Sequence, residues 1–263
     1  MGSIDNILNK TSSKITYIDC CDYWKGLNLN SAEDYTRALF NFRVLYTCNT
    51  CCIEGETISY HNTRELFENV ALTNYSGSFN TLVAVNNQRL LFPTVINDIA
   101  NKVEMSIDLV KRYHKSLMMG LYDDVRYSKG ERPGEFKIGD YGVGVADVGS
   151  FPEDVESDLS ELLSEMEGMS YSSVDDVITA ASYFHLAFEK IHAFADGNGR
   201  IGRLLMNYYL MLHGLPPVII FDDDKETYYM ALEVYDRTEY IDGFVKFIKE
   251  QMVSTWKSRI RKQ

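Results

Sequence analysis

The sequence predicts an all-α protein carrying one small β-hairpin. Apolar residues recur at i, i+3, i+4 and i+7 over several long segments, and helix start and stop signals punctuate them. Strand-like alternation is confined to the stretch between Gly130 and Phe151. With 263 residues, of which 45% are hydrophobic and 24% charged, the chain can bury a substantial core.

Taken in order, the first helix is expected over Ala32 to Glu54. Leu39, Phe40, Phe42, Val44, Leu45 and Tyr46 supply its apolar surface, and Gly55 is placed to end it in a left-handed conformation. A second helix is expected near Asn62 to Val70. The stretch ALTNYSGSFNTLVAVNNQ is ambiguous, while VEMSIDLVKRYHKSLMMGL returns to helical spacing through Ile107, Val110, Leu117 and Leu121. Phe136 to Val148 reads as a hairpin with its turn at Gly139-Asp140-Tyr141-Gly142. An isolated hairpin is marginal, so it is expected to rest on the helical body as a flap. An acidic helix follows over Pro152 to Met166. Ser172-Ser173 before Asp175-Asp176 marks the start of the next, whose stripe runs Val177, Ile178, Ala181, Phe184, Phe188, Ile191. From Ile201, the residues Leu204, Leu205, Tyr208, Tyr209 and Leu212 define another helix, stopped by Gly214 and Pro216-Pro217. Tyr228 to Lys249 holds one or two more.

Composition excludes several function classes. A net charge of -12 argues against a nucleic-acid surface, which needs a basic stripe. No apolar run approaches the roughly 18 residues that would span a bilayer, and MGSIDNILNK lacks the pattern of a signal peptide. A cytoplasmic protein with no membrane and no nucleic-acid partner is expected. Five cysteines, Cys20, Cys21, Cys48, Cys51 and Cys52, are an odd number near one end, which disfavours a disulfide scaffold. Their spacing is weak for zinc, and they are expected to pack as small apolar groups.

The chemistry is concentrated between Lys190 and Leu205, KIHAFADGNGRIGRLL. Two helices are joined there by a glycine-bearing loop that ends at a helix N-terminus. Such a loop directs free backbone N–H groups toward one point, and Gly197 and Gly199 let a ligand approach. Arg200 and Arg203 lie three apart in the new helix, where the macrodipole mildly repels cations, so an anion such as phosphate is expected nearby. One arginine reaches into the pocket and the other turns outward or braces the loop. Asp196 suits Mg²⁺ bridging phosphates. His192 is the nearby base with an ordinary pKa near neutrality. Singly, each has a plain explanation: a packed histidine four residues after Phe188, an N-cap, a turn, and partners for carboxylates. All of them within one short run favour transfer of a phosphorus-centred group.

The run His192-Ala193-Phe194-Ala195-Asp196-Gly197-Asn198-Gly199-Arg200-Ile201-Gly202-Arg203 resembles the H-P-F-x-[DE]-G-N-G-R-x-x-R signature of Fic-domain proteins. The resemblance extends to His185, Phe188, Glu189 and Ile191 upstream, and to Asn207, Gly214-Leu-Pro216-Pro217 and Tyr228-Tyr229 downstream. Ala193 departs from it, standing where proline is usual. The resemblance implies a Fic helical core with a hairpin flap and an N-terminal helical extension. Its implied activity is transfer of AMP from ATP to a Ser, Thr or Tyr hydroxyl of a protein target. His192 would be the general base and Asp196 the Mg²⁺ ligand. Gly197, Asn198, Gly199 and Arg200 would hold phosphate, Arg203 would grip the terminal phosphates, and Phe194 would anchor the loop. Tyr229 matches a tyrosine lining the adenine pocket, with packing against neighbouring helices as the rival reading. The flap, with Ile138, Val143 and Val145, would pin the target segment. Fic-fold transfer of UMP, phosphate or phosphocholine, and a non-catalytic interaction module, stay open as alternatives.

Thr50-x-x-x-Glu54-Gly55 resembles the same family's [ST]-x-x-x-E-[GN] inhibitory motif. Glu54 falls in the last turn of the first helix, where the macrodipole opposes a carboxylate, and Thr50, four residues earlier, is placed to donate to it. The motif implies that Glu54 pairs with Arg203 and blocks productive ATP binding, with self-modification once inhibition is relieved; some relatives also remove AMP. The expected organisation is residues 1–90 as a helical region bearing this motif and residues 91–263 as the catalytic core, with the flap at about 134–149. An exposed flap edge and autoinhibition suit a homodimer.

Overall fold

The computed structural model describes residues 14–69, 75–143, 146–147 and 149–261. Among these are twelve α-helices and one two-stranded antiparallel ladder. Helix α1 (Tyr17–Gly26) starts at Thr16, whose side chain accepts from Asp19 N while the Asp19 carboxylate accepts from Thr16 N. The single helix expected over residues 32–54 is instead two, α2 (Ala32–Ala38) and α3 (Phe40–Ile53), joined at Leu39. Arg259 Nη1 donates to Ala38 O at 2.5 Å at this break, and a side chain inserted into the ladder interrupts a helix. α4 (Tyr60–Asn69) covers the second expected helix, with Val70 outside the described residues.

The ambiguous stretch is helical from Phe79, within α5 (Phe79–Ala100), which starts at a Ser78 cap and carries Pro93 in its interior. Its asparagines obscure it because they favour turns over helices. Here one is spent on tertiary contact: Asn87 Nδ2 donates to Leu117 O at 2.9 Å and Met119 O at 2.8 Å. These carbonyls lie at the end of α6 (Ile107–Met118), so a buried asparagine closes a neighbouring helix. Leu90 lies inside α5, and this helix therefore runs through both expected regions.

After α7 (Asp124–Ser128), β1 (Gly142–Val143) pairs with β2 (Ala146–Asp147), Gly142 opposite Asp147 and Val143 opposite Ala146. The chain thus reverses after Val143, not at the expected Gly139–Gly142. The cause is Glu131, whose buried carboxylate accepts Ile138 N at 3.0 Å, Gly139 N at 3.1 Å and the Tyr141 hydroxyl at 2.7 Å. Lys137 N donates to Ala193 O at 3.0 Å. The segment expected as the first strand is therefore bound to a side chain and to the glycine-bearing loop, and its amides are spent before any ladder forms.

The remaining helices are α8 (Val155–Gly168), α9 (Val174–Ile191), α10 (Asn198–Leu212), α11 (Lys225–Thr238) and α12 (Asp242–Ile260), with a 3₁₀ turn at Asp222–Asp224. α9 starts at a Ser173–Asp176 capping box. α10 is buried on nearly all sides, as a helix at the centre of a core must be. It packs against α9, α6, α5 and α3, so the end of α3 faces the start of α10. The N-terminal helices share the main core. Trp256 of α12 stacks on Phe42 of α3 and meets Trp24 of α1 edge-on at 5.2 Å, with its Nε1 donating to Pro217 O at 2.7 Å. No helix among the described residues is long and apolar enough to cross a membrane.

Trp256 is 1% exposed and joins three segments distant in sequence. Replacing it with alanine is expected to cost about 3–5 kcal/mol, read as a lower denaturation midpoint at unchanged slope. A change within about 0.5 kcal/mol would show that α1 and α3 are not packed on α12 as described.

Candidate active site

α9 ends at His192, which adopts φ 51° and ψ 59°, and Gly197 opens α10 at φ 83°. Between them the loop is held from inside. Asn198 Oδ1 accepts Phe194 N at 2.9 Å, and its Nδ2 donates to Phe194 O at 2.7 Å. The Asn198 side chain thus closes the loop from within. The first α-helical bond of α10 runs from Ile201 N to Gly197 O, so the preceding N–H groups have no partner within the helix. Gly197 is required twice over: its φ is left-handed, and a Cβ there would lie 2.5 Å from Met118 Sδ.

His114, absent from the expected site, holds this loop from beneath. Its ring stacks on Phe194 with centroids 3.6 Å apart. Gly134 N donates to His114 Nδ1 at 2.9 Å, so the proton sits on Nε2, which donates to Asp196 O at 2.8 Å. Burial pushes its pKa down to about 3, which keeps the ring neutral and this tautomer in place. One signal was legible: a histidine on the apolar face of α6, one residue after Tyr113 and three before Leu117. Arg126 was also missed. It lies 3.4 Å from Asp196 and reaches toward Ala195 O.

His192 is partly buried and its Nδ1 has no hydrogen-bond partner. Burial, then the nearby Lys137 charge, push its pKa down to about 4, against the pull of Asp196 and Glu54. The imidazole is therefore neutral and able to accept a proton. Gly149 packs against it; a Cβ at Gly149 would lie 2.6 Å from His192 Cβ.

Both arginines are engaged by carboxylates. Arg200 donates to Asp196 Oδ1 at 3.3 Å, and its buried Nε has no partner. Arg203 is 2% exposed. Its Nη2 donates to Glu54 Oε1 at 2.6 Å and to Thr50 O at 3.2 Å, its Nε to Thr50 Oγ1 at 2.9 Å, and its Nη1 to the Tyr228 hydroxyl at 3.5 Å. Thr50 thus accepts from the guanidinium, where donation to Glu54 was expected. The recess lined by Tyr46, Thr50, Arg203 and Asn207 is closed, at about 0 Å³. Burial opposes the Glu54 charge, but Arg203 and then Arg200 outweigh it and hold the carboxyl below its ordinary value. Gly199 makes the room for this pair, because a Cβ there would lie 2.5 Å from Glu54 Oε1 and 2.9 Å from Arg203 Nη1.

The remaining expected residues lie around this centre. Tyr229 is 47% exposed and donates its hydroxyl to Ile53 O at 3.0 Å, bracing the end of α3. Ile138 is exposed, Val143 forms part of β1, and Val145 lies outside the described residues. Glu189 sits behind Arg203, with its Oε1 buried, unpartnered and 3.9 Å from His185 Nε2. A Cβ at Gly202 would lie 2.4 Å from that oxygen.

Among the described residues no cluster of three or more His, Cys, Asp or Glu side chains forms a ready-made metal cage. Magnesium bound with a nucleotide does not need one, since one or two carboxylates complete a set made mostly of phosphate and water. Asp196 fits that role: its side chain is 31% exposed and lies at the mouth of the glycine-bearing loop.

Residues 104–210 match the Fic/DOC family. This segment is a Fic domain. Beyond it, the chain is 30% identical over 203 residues to the protein adenylyltransferase Fic of Drosophila melanogaster, covering 75% of this chain and 38% of that protein. It is 29% identical over 205 residues to the protein adenylyltransferase fic-1 of Caenorhabditis briggsae, covering 78% of this chain and 38% of that protein. The chain therefore spans less than two fifths of these curated relatives. The fold is similar to that of a Fic-domain-containing signaling protein from Bacteroides thetaiotaomicron, with TM-score 0.77 and 20% identity over 93% of this chain and 95% of that one. It is also similar to Fic-1 from C. elegans, with TM-score 0.73 and 23% identity over 99% of this chain and 72% of that one. These likenesses place the all-α core of this chain in the Fic fold.

Two outcomes test the Fic-domain geometry. Burial raises the Glu189 pKa from 4.5 to about 8, with Arg203 opposing. The folded state therefore binds a proton that the unfolded state releases, and stability is full below pH 4.5 and declines as pH rises toward 8. Glu189→Gln should flatten the fall in Tm across that window; parallel profiles would contradict the burial of the carboxyl. His114→Phe keeps the stacking but removes both hydrogen bonds, and should speed amide exchange at Phe194–Gly197 relative to the rest of the core.

Proposed function

We propose that this chain is an autoinhibited protein adenylyltransferase. It moves AMP from ATP to a hydroxyl side chain of a protein target, and to itself when released. The similarity to named adenylyltransferases supports the activity, and one contact supports the inhibition: Glu54 and Arg203, 149 residues apart in sequence, meet at 2.6 Å. In this reading residues 1–90 carry the inhibitory device and residues 91–263 the catalytic core.

ATP seats its phosphates at the start of α10, where free N–H groups and the macrodipole favour anions. The unpartnered Arg200 Nε adds a donor. His192 takes the proton of the target hydroxyl through a ring nitrogen as that oxygen attacks the α-phosphorus. A new P–O bond forms to the target, the bond from the α-phosphorus to the bridging oxygen breaks, and pyrophosphate leaves. The incoming phosphate charge raises the basicity of His192 from the low value that burial and Lys137 give it. Asp196 would hold Mg²⁺ together with the phosphates, and the ion would supply neutralisation of phosphate charge. His114 and Asn198 keep the loop fixed, so little reorganisation is needed on reaction. The flap, tied by Glu131 and by Lys137 N, lies beside this loop and offers backbone for pairing with an extended target segment.

With Glu54 in place, Arg203 is unavailable to the terminal phosphates. A misplacement of about 1 Å costs on the order of a hundredfold in rate, so the resting protein is nearly silent.

Labelled ATP with Mg²⁺, offered to wild type, Glu54→Gly and the double variant Glu54→Gly/His192→Ala, tests this directly. Glu54→Gly should incorporate AMP-sized mass on protein on the order of a hundredfold faster than wild type. The double variant should incorporate none. Incorporation of a different mass, or labelling that survives loss of His192, would overturn the proposal.

A further inference from the structure

The cysteines do not all serve as packing. Cys20, Cys21 and Cys51 are buried, and burial pushes each thiol up to about 12, which makes them inert. Cys48 and Cys52 differ. They lie four apart on α3, and both sulfurs approach one acceptor, Ile58 O, at 3.6 Å and 3.5 Å. The closeness of the two thiols raises the Cys48 pKa and lowers that of Cys52. Cys52 is partly exposed, so an oxidant can reach it, while Cys48 stands behind it as the partner thiol.

Their place in the chain makes them more than a reactive pair. Cys52 is in the last turn of the helix that presents Glu54. The carbonyls of this turn carry the next residues: Cys51 O accepts Glu54 N and Glu56 N, both at 3.1 Å, and Cys52 O accepts Gly55 N at 3.0 Å. In a regular helix the Cβ atoms of residues i and i+4 are about 5–6 Å apart, whereas a disulfide brings them to about 3.5–4.5 Å. Bonding the two sulfurs therefore requires the last turn to deform. It also removes both thiol protons from Ile58 O, so the segment returning after Gly55 loses these two ties to the helix.

We propose that Cys48 and Cys52 form a peroxide-sensitive dithiol whose oxidation withdraws Glu54 from Arg203. The Cys52 thiolate attacks the O–O bond of hydrogen peroxide, becoming a sulfenic acid and releasing hydroxide, which is protonated to water. The Cys48 sulfur then attacks the Cys52 sulfur, the S–OH bond breaks, and the Cys48 proton leaves with that hydroxyl as a second water. Two thiols lose two hydrogens and one peroxide becomes two waters. A thiol reductant reverses the step by exchange. The activating consequence rests on the adenylyltransferase reading; the thiol chemistry does not.

The full chain is treated with one equivalent of hydrogen peroxide, with and without later reduction, alongside Cys52→Ser, Cys48→Ser and Glu54→Gly. Three readouts are taken: peptide mass, hydrogen exchange at residues 53–58, and labelled AMP incorporation. Wild type should lose two hydrogens within one peptide containing Cys48 and Cys52 and exchange faster at 53–58. Its labelling should rise by at least about tenfold, a fraction of what full release of Glu54 yields. Reduction restores all three. Both serine variants should lack the mass change and the gain, and Glu54→Gly should oxidise without gaining. No linked peptide, or a linked peptide with unchanged exchange at 53–58, overturns the switch. Oxidised wild type that stays silent while Glu54→Gly labels also overturns it and leaves the functional proposal standing. If Glu54→Gly itself does not label, the functional proposal fails, and mass and exchange still decide the dithiol.

Discussion

The ion pair between Glu54 and Arg203 is the contact on which the arrangement of the site turns. It joins the end of α3 to the second turn of α10 and is backed by both the hydroxyl and the carbonyl of Thr50. A buried ion pair is weak as a source of stability, because desolvating two charges offsets most of their attraction. It is strong as a constraint, since removing either partner strands the other. Arg203, 2% exposed, cannot be left without an anion. In the resting chain Glu54 meets that need, and in the proposed active state a phosphate meets it instead. Competition between two anions for one guanidinium is sufficient to make a switch, with no change of fold.

The surrounding structure serves to keep this competition sharp. Gly199 leaves the space that the carboxylate occupies, and Gly202 leaves space for Glu189. Tyr228 and Tyr229 hold the pair from the far side, one toward Arg203 and one toward Ile53 O. Beneath the loop, His114 fixes Asp196 and Phe194 through one neutral ring. Both groups expected to act on substrate, His192 and Asp196, are therefore presented by backbone that has little freedom of its own.

Much of this was legible in the residues, for identifiable reasons. α6, α9 and α10 carry apolar stripes, and α10 is followed by Gly214 and Pro216-Pro217; those signals act locally. The loop from His192 to Arg203 was legible because glycines, a histidine and two arginines in so short a run have few joint uses. What was not legible depends on partners far along the chain. The break at Leu39 is made by Arg259, about 220 residues away, and no pattern near Leu39 announces it. The misplaced hairpin turn follows from Glu131 capturing two amides that alternation alone assigns to a strand. α5 was obscured because asparagine disfavours helices, until Asn87 finds two carbonyls on α6. In the site itself, the part Asn198 plays in closing the loop was not legible, because the amide and carbonyl it engages both belong to Phe194, four residues back.

The central claim is that Glu54 occupies the seat of the terminal phosphates and leaves the rest of the nucleotide site alone. Calorimetric titration of wild type and Glu54→Gly with a non-hydrolysable ATP analogue and with AMP measures this most directly. Freeing Arg203 should tighten binding of the triphosphate by about tenfold or more, as a charge-assisted bidentate contact is gained, while AMP affinity stays the same. Equal changes for both ligands, or none for either, would show that the contact between Glu54 and Arg203 does not compete with phosphate.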